Sequence, residues 1–530
     1  MQQIKNPILP GGYPDPSIVR VGEDFYLVNS TFEYFPGLPI HHSRDLVNWR
    51  LIGHALDRPS QCTGEVCLTD VQSDGGIHAP TIRYHNGKFY IITTNVYVSP
   101  EGDTSRDVCT NFIVTAENPA GPWSDPIVIK GAPGIDPDIF FDDNGTIWYV
   151  GTHTPEDKNY DSEGEIWTQE LDPKTFQLVG ERHFLWRGTG GDWVEGPHMY
   201  KRNGRYYLIT AEGGTGFFHA VTIASSESIT GPFVSNPRNP ILTSRHLSNQ
   251  NWVHSTGHGD LVELQDARWY MVCLGVRNHV AHRSNMGRET FLLPVMWESQ
   301  FPGSEIEWPV CNPKSGCVEP YLQAPFEGTV QSRGLTFFDD FSSVSLKPEW
   351  NYRRVPTLPR VEVLSCENKL RLFSDSQSFA DNKQTAFVGF RQLSSAFTYS
   401  AEVFLDEHQP TQGGLAIVQK DHRYLTFTSQ VIDDSIQLNV KVNSALVCEK
   451  RIALANTQKL TLLIEGQGEH YQSQCVVNGE SIKVGEWSGE DLVSFFYTGA
   501  YCGLVSFVQG AEKNKHWTDF AAVRFTGHED

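Results

Sequence analysis

Three acidic residues that occur in similar local sequences are the first candidates for chemistry in this chain of 530 residues. Asp15 lies in Tyr-Pro-Asp-Pro-Ser, Asp136 in Gly-Ile-Asp-Pro-Asp and Glu195 in Trp-Val-Glu-Gly-Pro. Two carboxyl groups can hydrolyse a glycosidic bond when one protonates the leaving oxygen and the other acts on water or on the sugar. A third carboxyl group nearby separates their pKa values. A single such acid would be ordinary turn chemistry, so the prediction depends on all three converging.

An internal repeat predicts that they converge. Five copies of a strand, a turn and a second strand with an early Tyr or Trp follow Pro16, Pro80, Pro137, Pro197 and Gly259, spaced by 57 to 64 residues. The turns of the middle three copies contain Asn-Gly, a strong hairpin signal. Further strand pairs between the copies give four strands per unit. The pattern predicts an all-β fold that begins with a five-bladed β-propeller over residues 1–318, with a β-sandwich as the alternative.

The radial arrangement of a propeller directs the start of each inner strand towards one central channel. The residues expected there are Asp15, Ala79 (after His78), Asp136, Glu195 and His258. Charges of the same sign that face one channel destabilise a protein unless they are used, which favours a functional role for the three acids.

The pattern changes after the repeats. We interpret residues 319–336 as a linker, and residues 337–530 as a jelly-roll-like β-sandwich made of short alternating strands such as Leu460–Ile464. The whole chain is therefore predicted to contain two β domains.

Composition limits the class of partner. The chain has 42 basic and 63 acidic residues, a net charge of −21, which argues against nucleic acid or an anionic membrane as a partner. Its 12% aromatic content suits a neutral ligand such as a sugar. The N-terminus lacks a signal-peptide pattern, so we expect a cytoplasmic protein, with secretion after signal removal as the alternative. The ten cysteines predict reduced thiols, with Cys62/Cys67 and Cys311/Cys317 as the local disulfide alternatives.

Five ordered motifs resemble those of glycoside hydrolase family 43. They are the three acidic motifs, Ala-Glu-Gly-Gly-Thr at residues 211–215 and Gly-Arg-Glu-Thr at residues 287–290. The match is to the branch of β-xylosidases and α-L-arabinofuranosidases that has a C-terminal sandwich. The resemblance implies an inverting mechanism in which Asp15 is the general base, Glu195 is the general acid, and Asp136 holds the protonation state and orientation of Glu195.

The resemblance also implies a substrate pocket. Arg288 would bind a sugar hydroxyl, and Phe32 and Thr215 would form its walls. Tyr501, in the loop from Tyr497 to Gly503, would lie near the bound sugar and make the enzyme exo-acting. Position 78 departs from the family pattern, because His78 stands where relatives often have an aromatic residue, which weakens a stacking wall.

His258 corresponds to a channel histidine that often lies beside a water-coordinated calcium ion in this family, and a metal-free histidine is the alternative. No cofactor is required for the chemistry. The predicted function is release of xylose from β-1,4-xylo-oligosaccharides. An α-L-arabinofuranosidase or a bifunctional enzyme is the close alternative. A non-catalytic carbohydrate-binding propeller and a protein-interaction platform are the alternatives from other classes. The sequence leaves the oligomeric state open and is compatible with a homo-oligomer.

Overall fold

β-strands provide nearly all of the regular structure. The computed structural model describes residues 2–98, 108–279, 283–376, 378–381, 383–454, 457–492, 497–510 and 515–528. Within these ranges the helical segments are three short 3-10 helices at Pro59–Cys62, Ser365–Glu367 and Glu490–Leu492. None of the described helices has the length and apolar character needed to cross a membrane.

The described residues of the first domain contain 24 strands. β1 (Gln3–Lys5) precedes the blades. Blade one comprises β2 (Ser17–Val21), β3 (Asp24–Val28), β5 (Gly37–Ser43) and β6 (Arg50–Leu56), with β4 (Tyr34–Phe35) beside it. Blade two comprises β7 (Gly76–His85), β8 (Lys88–Tyr97), β9 (Val108–Ala116) and β10 (Ile127–Val128). Blade three comprises β11 (Ile135–Phe141), β12 (Ile147–His153), β13 (Glu165–Leu171) and β14 (Leu178–Trp186). Blade four comprises β15 (Glu195–Arg202), β16 (Arg205–Glu212), β17 (Ala220–Ser226), β18 (Val234–Ser235) and β19 (Leu242–Thr243). Blade five comprises β20 (Val253–Glu263), β21 (Trp269–Arg277), β22 (Glu289–Ser299) and β23 (Glu307–Cys311), and β24 (Tyr321–Gln323) follows it.

Each blade is an antiparallel sheet whose first four strands are in chain order from the channel outwards, and β19 of blade four also pairs with β17. The inner strands β2, β7, β11, β15 and β20 contact their neighbours, and β20 contacts β2, so the described strands form a closed ring. The predicted five-bladed propeller is confirmed. The N-terminal segment helps to close the ring, because Ile8 N–H donates to Thr290 O of blade five at 2.9 Å and β1 pairs with β24.

Local sequence explains the hairpins. Asn86 and Gly87 have φ values of 49° and 80°, and Asn203 and Gly204 have 51° and 76°. These two-residue turns therefore have the left-handed conformations that Asn-Gly favours. The third Asn-Gly pair lies in a longer connection between Phe141 and Ile147, where Gly145 has a φ of 87°.

The second domain is a sandwich of two antiparallel sheets. One sheet contains β25 (Thr336–Asp339), β27 (Val361–Leu364), β28 (Lys369–Phe373), β30 (Ala396–Phe404), β35 (Lys459–Gln467), β36 (His470–Val477), β37 (Glu480–Ser488) and β39 (Trp517–His528). The other contains β29 (Phe387–Arg391), β31 (Gln412–Lys420), β32 (Arg423–Ile432), β33 (Ser435–Val442), β34 (Ala445–Ala453) and β38 (Tyr501–Phe507). Their inner faces share one core, to which β35 contributes Leu460, Leu462 and Ile464 at alternate positions. The predicted β-sandwich is confirmed.

The two domains are joined by main-chain pairing as well as by packing. β26 (Tyr352–Arg353) pairs with β4 of the propeller. Tyr34 of β4 also packs in a buried cluster with Phe379, Phe387 and other sandwich residues. Strand β24 lies inside the segment predicted as a linker, so part of that segment belongs to the propeller ring. All ten cysteines lie in the described residues and are free thiols.

Candidate active site

A β-bulge at the start of the inner strands aims the channel residues. The register shifts at the same place in blades two to five, at Ala79-Pro80, Asp136-Pro137, Gly196-Pro197 and His258-Gly259. Bulges next to active sites re-aim side chains. The residue before the proline or its equivalent has a left-handed φ in four blades, at Asp15 (48°), Asp136 (54°), Gly196 (55°) and His258 (48°).

The left-handed φ values correct the way in which the sequence repeats are aligned. Gly196, rather than Glu195, is the conformational equivalent of Asp15 and Asp136, so Glu195 enters the site from one residue earlier. A Cβ atom at Gly196 would lie 2.8 Å from Cε1 of His258, which explains the glycine. The N–H of Gly196 instead donates to Oδ2 of Asp136 at 3.2 Å. The bulge thereby links Asp136 to the backbone that carries Glu195.

Asp15 is held in its ionised form. Burial alone would raise the pKa of this carboxyl, but the nearby His258 and Arg288 and a hydrogen bond from Ser30 lower it below its usual value. Ser30 Oγ donates to Asp15 Oδ2 at 2.6 Å, and Arg288 Nη1 lies 3.8 Å from Oδ1. A carboxylate in this state is suited to accept a proton from water.

The pKa values of Glu195 and Asp136 are shifted in the opposite direction from that of Asp15. Burial raises the pKa of Glu195 to about 7, with Arg288 opposing the rise and the negative charge of Asp15 adding to it. Burial and the charges of Glu195 and Asp15 raise the pKa of Asp136 well above its usual value. The site therefore favours the protonated forms of Glu195 and Asp136 and the ionised form of Asp15. Acid and base catalysis needs this asymmetry.

We expect a bell-shaped pH dependence of kcat/KM, because activity requires Asp15 ionised and Glu195 protonated. The alkaline limb should fall near pH 7, in line with the raised pKa of Glu195. Ser30→Ala removes a hydrogen bond to the charged form of Asp15, so the acidic limb should move to higher pH. The control is Ser17→Ala, since Ser17 donates an equally short 2.6 Å bond to Asp260. An acidic limb that stays in place in Ser30→Ala, or that also moves in Ser17→Ala, would contradict the assignment.

Arg288 has buried donors that are free for a ligand. It is 3% exposed, and its Nε and Nη2 atoms have no hydrogen-bond partner in the described part of the chain. Unpaired buried donors destabilise a protein by about 1–3 kcal/mol each, so they are normally paired. Substrate hydroxyl oxygens would provide the partners, in agreement with the role that the resemblance implies.

The pocket wall is a cluster of rings from both domains. Phe32 lies 5.1 Å from His78 and 5.4 Å from Tyr497 between ring centroids. Phe32 is fixed by two backbone hydrogen bonds with Ile77. The guanidinium of Arg288 lies 4.5 Å from the centroid of Tyr497. These contacts bring Phe32, His78 and Arg288 together with a residue of the sandwich domain.

Tyr501 does not contribute to this wall, which corrects the sequence prediction. Its side chain is 2% exposed and stacks on Tyr34 with 3.7 Å between centroids. The predicted loop does approach the site, but through Tyr497. Thr215 is half-buried in the loop between β16 and β17, on the same blade as Glu195.

The channel beyond the catalytic acids contains a charged network to which every blade contributes. Arg83 Nη1 lies 3.1 Å from Asp260 Oδ2, and Arg83 Nε lies 3.2 Å from Asp138 Oδ1. Ser17 Oγ also donates to Asp260. Arg83 Nη2 contacts His198 Nδ1 at 3.1 Å. Aligning the repeats finds most of this set, because Ser17, Asp138, His198 and Asp260 each follow the proline or its equivalent.

The side chains around His258 do not fit a calcium ion that side chains bind directly. The described residues contain no group of three His, Cys, Asp or Glu side chains that could hold a metal. His258 Nδ1 lies 3.7 Å from Asp15 Oδ1, a carboxylate that is also close to Arg288. The next two channel carboxylates, Asp138 and Asp260, are already paired with Arg83. We derive no step of the reaction through a metal.

An ionised carboxylate and a carboxyl group of raised pKa on either side of one pocket suit the acid and base catalysis of a glycoside hydrolase. The family described as "Glycosyl hydrolases family 43" matches residues 4–302. "Beta xylosidase C-terminal Concanavalin A-like domain" matches residues 338–526. The chain belongs to glycosyl hydrolase family 43, as the sequence motifs predicted.

Similar proteins carry two kinds of name. A xylosidase/arabinosidase 43B of Humicola insolens is 45% identical over 96% of this chain and 95% of its own length. A non-reducing end alpha-L-arabinofuranosidase of Bacteroides ovatus is 36% identical over 98% of this chain and 95% of its own length. The crystal structure of a xylan beta-1,4-xylosidase from Bacillus halodurans has a TM-score of 0.88 and 31% identity, and covers 99% of this chain and 100% of that chain.

Proposed function

We propose that the protein is an exo-acting, inverting β-xylosidase that releases xylose from β-1,4-xylo-oligosaccharides. The observation that carries this proposal is the opposite pKa shift of Asp15 and Glu195 in a site walled by Phe32, His78 and Tyr497. A wall that includes a sandwich residue supports a site that accepts a chain end rather than the middle of a chain.

In the proposed mechanism a water molecule attacks the anomeric carbon of the terminal sugar. Asp15 accepts the proton of this water, and Glu195 donates its proton to the leaving oxygen as the glycosidic bond breaks. Arg288 donates to a hydroxyl of the bound sugar through its free N–H groups. Asp136 acts through Gly196, because its Oδ2 atom accepts a hydrogen bond from the N–H of Gly196, the residue directly after Glu195.

Activity on α-L-arabinofuranosides is the second candidate. It is supported by the relative of Bacteroides ovatus named as an α-L-arabinofuranosidase. His78 supports it as well, since a histidine in the wall gives a polar edge where an apolar aromatic surface would favour the C–H face of a pyranose chair.

Hydrolysis of 4-nitrophenyl β-D-xylopyranoside and 4-nitrophenyl α-L-arabinofuranoside, followed by proton NMR, tests the proposal. We expect kcat/KM for the xyloside to exceed that for the arabinofuranoside by about 10-fold or more, a difference that pocket contacts of this kind supply. The first xylose released should be the α anomer, because inversion converts a β linkage into an α product. Failure to hydrolyse the xyloside, or release of β-xylose first, would contradict the proposal.

A further inference from the structure

Three water-exposed aromatic side chains lie in two loops of blade four beside the catalytic acid. Trp193 is 48% exposed, Phe217 37% and Phe218 69%. Trp193 precedes Glu195 by two residues, and the phenylalanines connect β16 to β17. The start of β15, the end of β16 and the start of β17 lie at one end of the antiparallel blade, so all three rings are at the mouth of the site.

Hydrogen bonds hold the two loops against each other. The N–H groups of Gly213 and Gly214 donate to Asp192 O at 2.7 and 3.2 Å. A Cβ atom at Gly214 would lie 3.3 Å from Cδ1 of Trp193, so the indole lies directly against the second loop. Glu212, which is 2% exposed, accepts from the N–H of Gly191 and from the hydroxyl of Thr189 at 2.7 Å. The exposed rings are therefore carried by a rigid support.

The same support reaches the catalytic centre. The ring of Phe217 packs on His254 with 4.6 Å between centroids. His219, which follows Phe218, contacts Ser255 O through Nδ1 at 3.0 Å, and a Cβ atom at Gly257, which precedes His258, would lie 2.6 Å from the ring of His219. The loop that carries Phe217 and Phe218 therefore packs against the start of β20, the strand that leads to His258.

The position of Glu195 decides which part of a substrate meets these rings. A general acid must contact the glycosidic oxygen, so the leaving group lies on its side of the bond. Phe32, His78 and Tyr497 form the wall for the sugar that is released. Exposed apolar groups that are contiguous and rigidly held mark binding surfaces, and the C–H faces of sugars pack on aromatic rings.

We infer that Trp193, Phe217 and Phe218 form a platform for the leaving-group chain, which binds a neutral β-linked sugar chain beyond its first residue. The inference rests on the proposed function, because it takes the same site and names the longer substrate that the site prefers. The net charge of the protein, −21, agrees with an uncharged ligand. The enzyme is therefore expected to hydrolyse longer xylo-oligosaccharides more efficiently than xylobiose.

The test is the ratio of kcat/KM for xylotetraose to kcat/KM for xylobiose. In Phe218→Ala this ratio should fall by about 3- to 10-fold, the effect of losing one aromatic contact, and Phe218→Tyr should restore it. The matched control is Phe301→Ala, which removes another exposed ring, 60% accessible, that follows β22 at the opposite end of blade five. The control should keep the parent ratio.

Other results would contradict either the platform or the proposed function. An unchanged ratio in Phe218→Ala, with both oligosaccharides still hydrolysed, would overturn the platform while leaving the proposed function intact. If neither oligosaccharide is hydrolysed by the parent protein, the proposed function fails. Size-exclusion chromatography addresses a second copy of this chain as the occupant: a parent oligomer that Phe218→Ala dissociates would make the surface a subunit interface and overturn the inference.

Discussion

Glu195→Ala is expected to reduce kcat/KM on xylobiose by about 100- to 10,000-fold, the usual contribution of a general acid. On an aryl xyloside with a good leaving group the same variant should lose no more than about 10-fold, because an activated phenolate leaves without a proton. The raised pKa of Glu195 is the physical basis of the expectation, since it keeps the proton available near neutral pH. Steady-state kinetics on the two substrates measure the difference directly.

Asp15→Asn provides the contrast for this experiment. The attacking water needs a base whichever group leaves, so Asp15→Asn should affect both substrates to a similar extent. Equal losses in Glu195→Ala, or a loss confined to xylobiose in Asp15→Asn, would contradict the assigned roles. Circular dichroism of both variants checks that the propeller is intact.

The repeat explains why the catalytic acids could be predicted from sequence. A period near 60 residues predicts blades, and blades bring the residues before Pro16 and Pro137 into one channel. The position of Glu195 needed more than the period, because the bulge shifts the equivalence to Gly196 and re-aims the side chains beside it. Backbone conformation at a bulge depends on the neighbouring strand, so it does not follow from residue type alone.

The contribution of the second domain was harder to predict. The segment from Tyr497 to Gly503 was expected to reach the site, but the choice between Tyr497 and Tyr501 depends on how the sandwich docks. Tyr501 is the first residue of β38, and its ring stacks on Tyr34. Tyr497 precedes the strand, and its ring contacts Phe32. Contacts between domains have no local sequence period, so no pattern indicates them.

Buried ionic contacts connect the sandwich to the pocket wall. Glu33 follows Phe32 directly, is fully buried, and accepts a hydrogen bond from Arg353 Nε at 3.3 Å. Arg353 also pairs with Asp421 and donates to Ser73 Oγ at 3.1 Å. The other oxygen of Glu33 accepts the N–H of Asp74 at 3.2 Å. Arg353 of the sandwich therefore contacts both segments of the wall, around Phe32 and before His78.

Arg353→Met should lower the free energy of unfolding by about 3–5 kcal/mol, because it removes the cation that is hydrogen-bonded to the buried side chain of Glu33. Replacing both partners, in Arg353→Met with Glu33→Met, should be less destabilising than the single change, since apolar groups of similar volume tolerate burial. Urea unfolding followed by tryptophan fluorescence measures both. The control is Arg371→Met, which breaks the partly exposed pair with Asp519 within the sandwich and should lose no more than about 1 kcal/mol.

The kinetics of the same variants separate positioning from stability. At a temperature where Arg353→Met remains folded, its kcat/KM should still fall relative to Arg371→Met, because Phe32 and His78 lose the support that holds them beside Tyr497. If the two variants unfold at the same urea concentration and hydrolyse the xyloside equally well, the arginine does not position the wall. A stability loss without a kinetic loss would show that the contact joins the domains but that the propeller alone shapes the site.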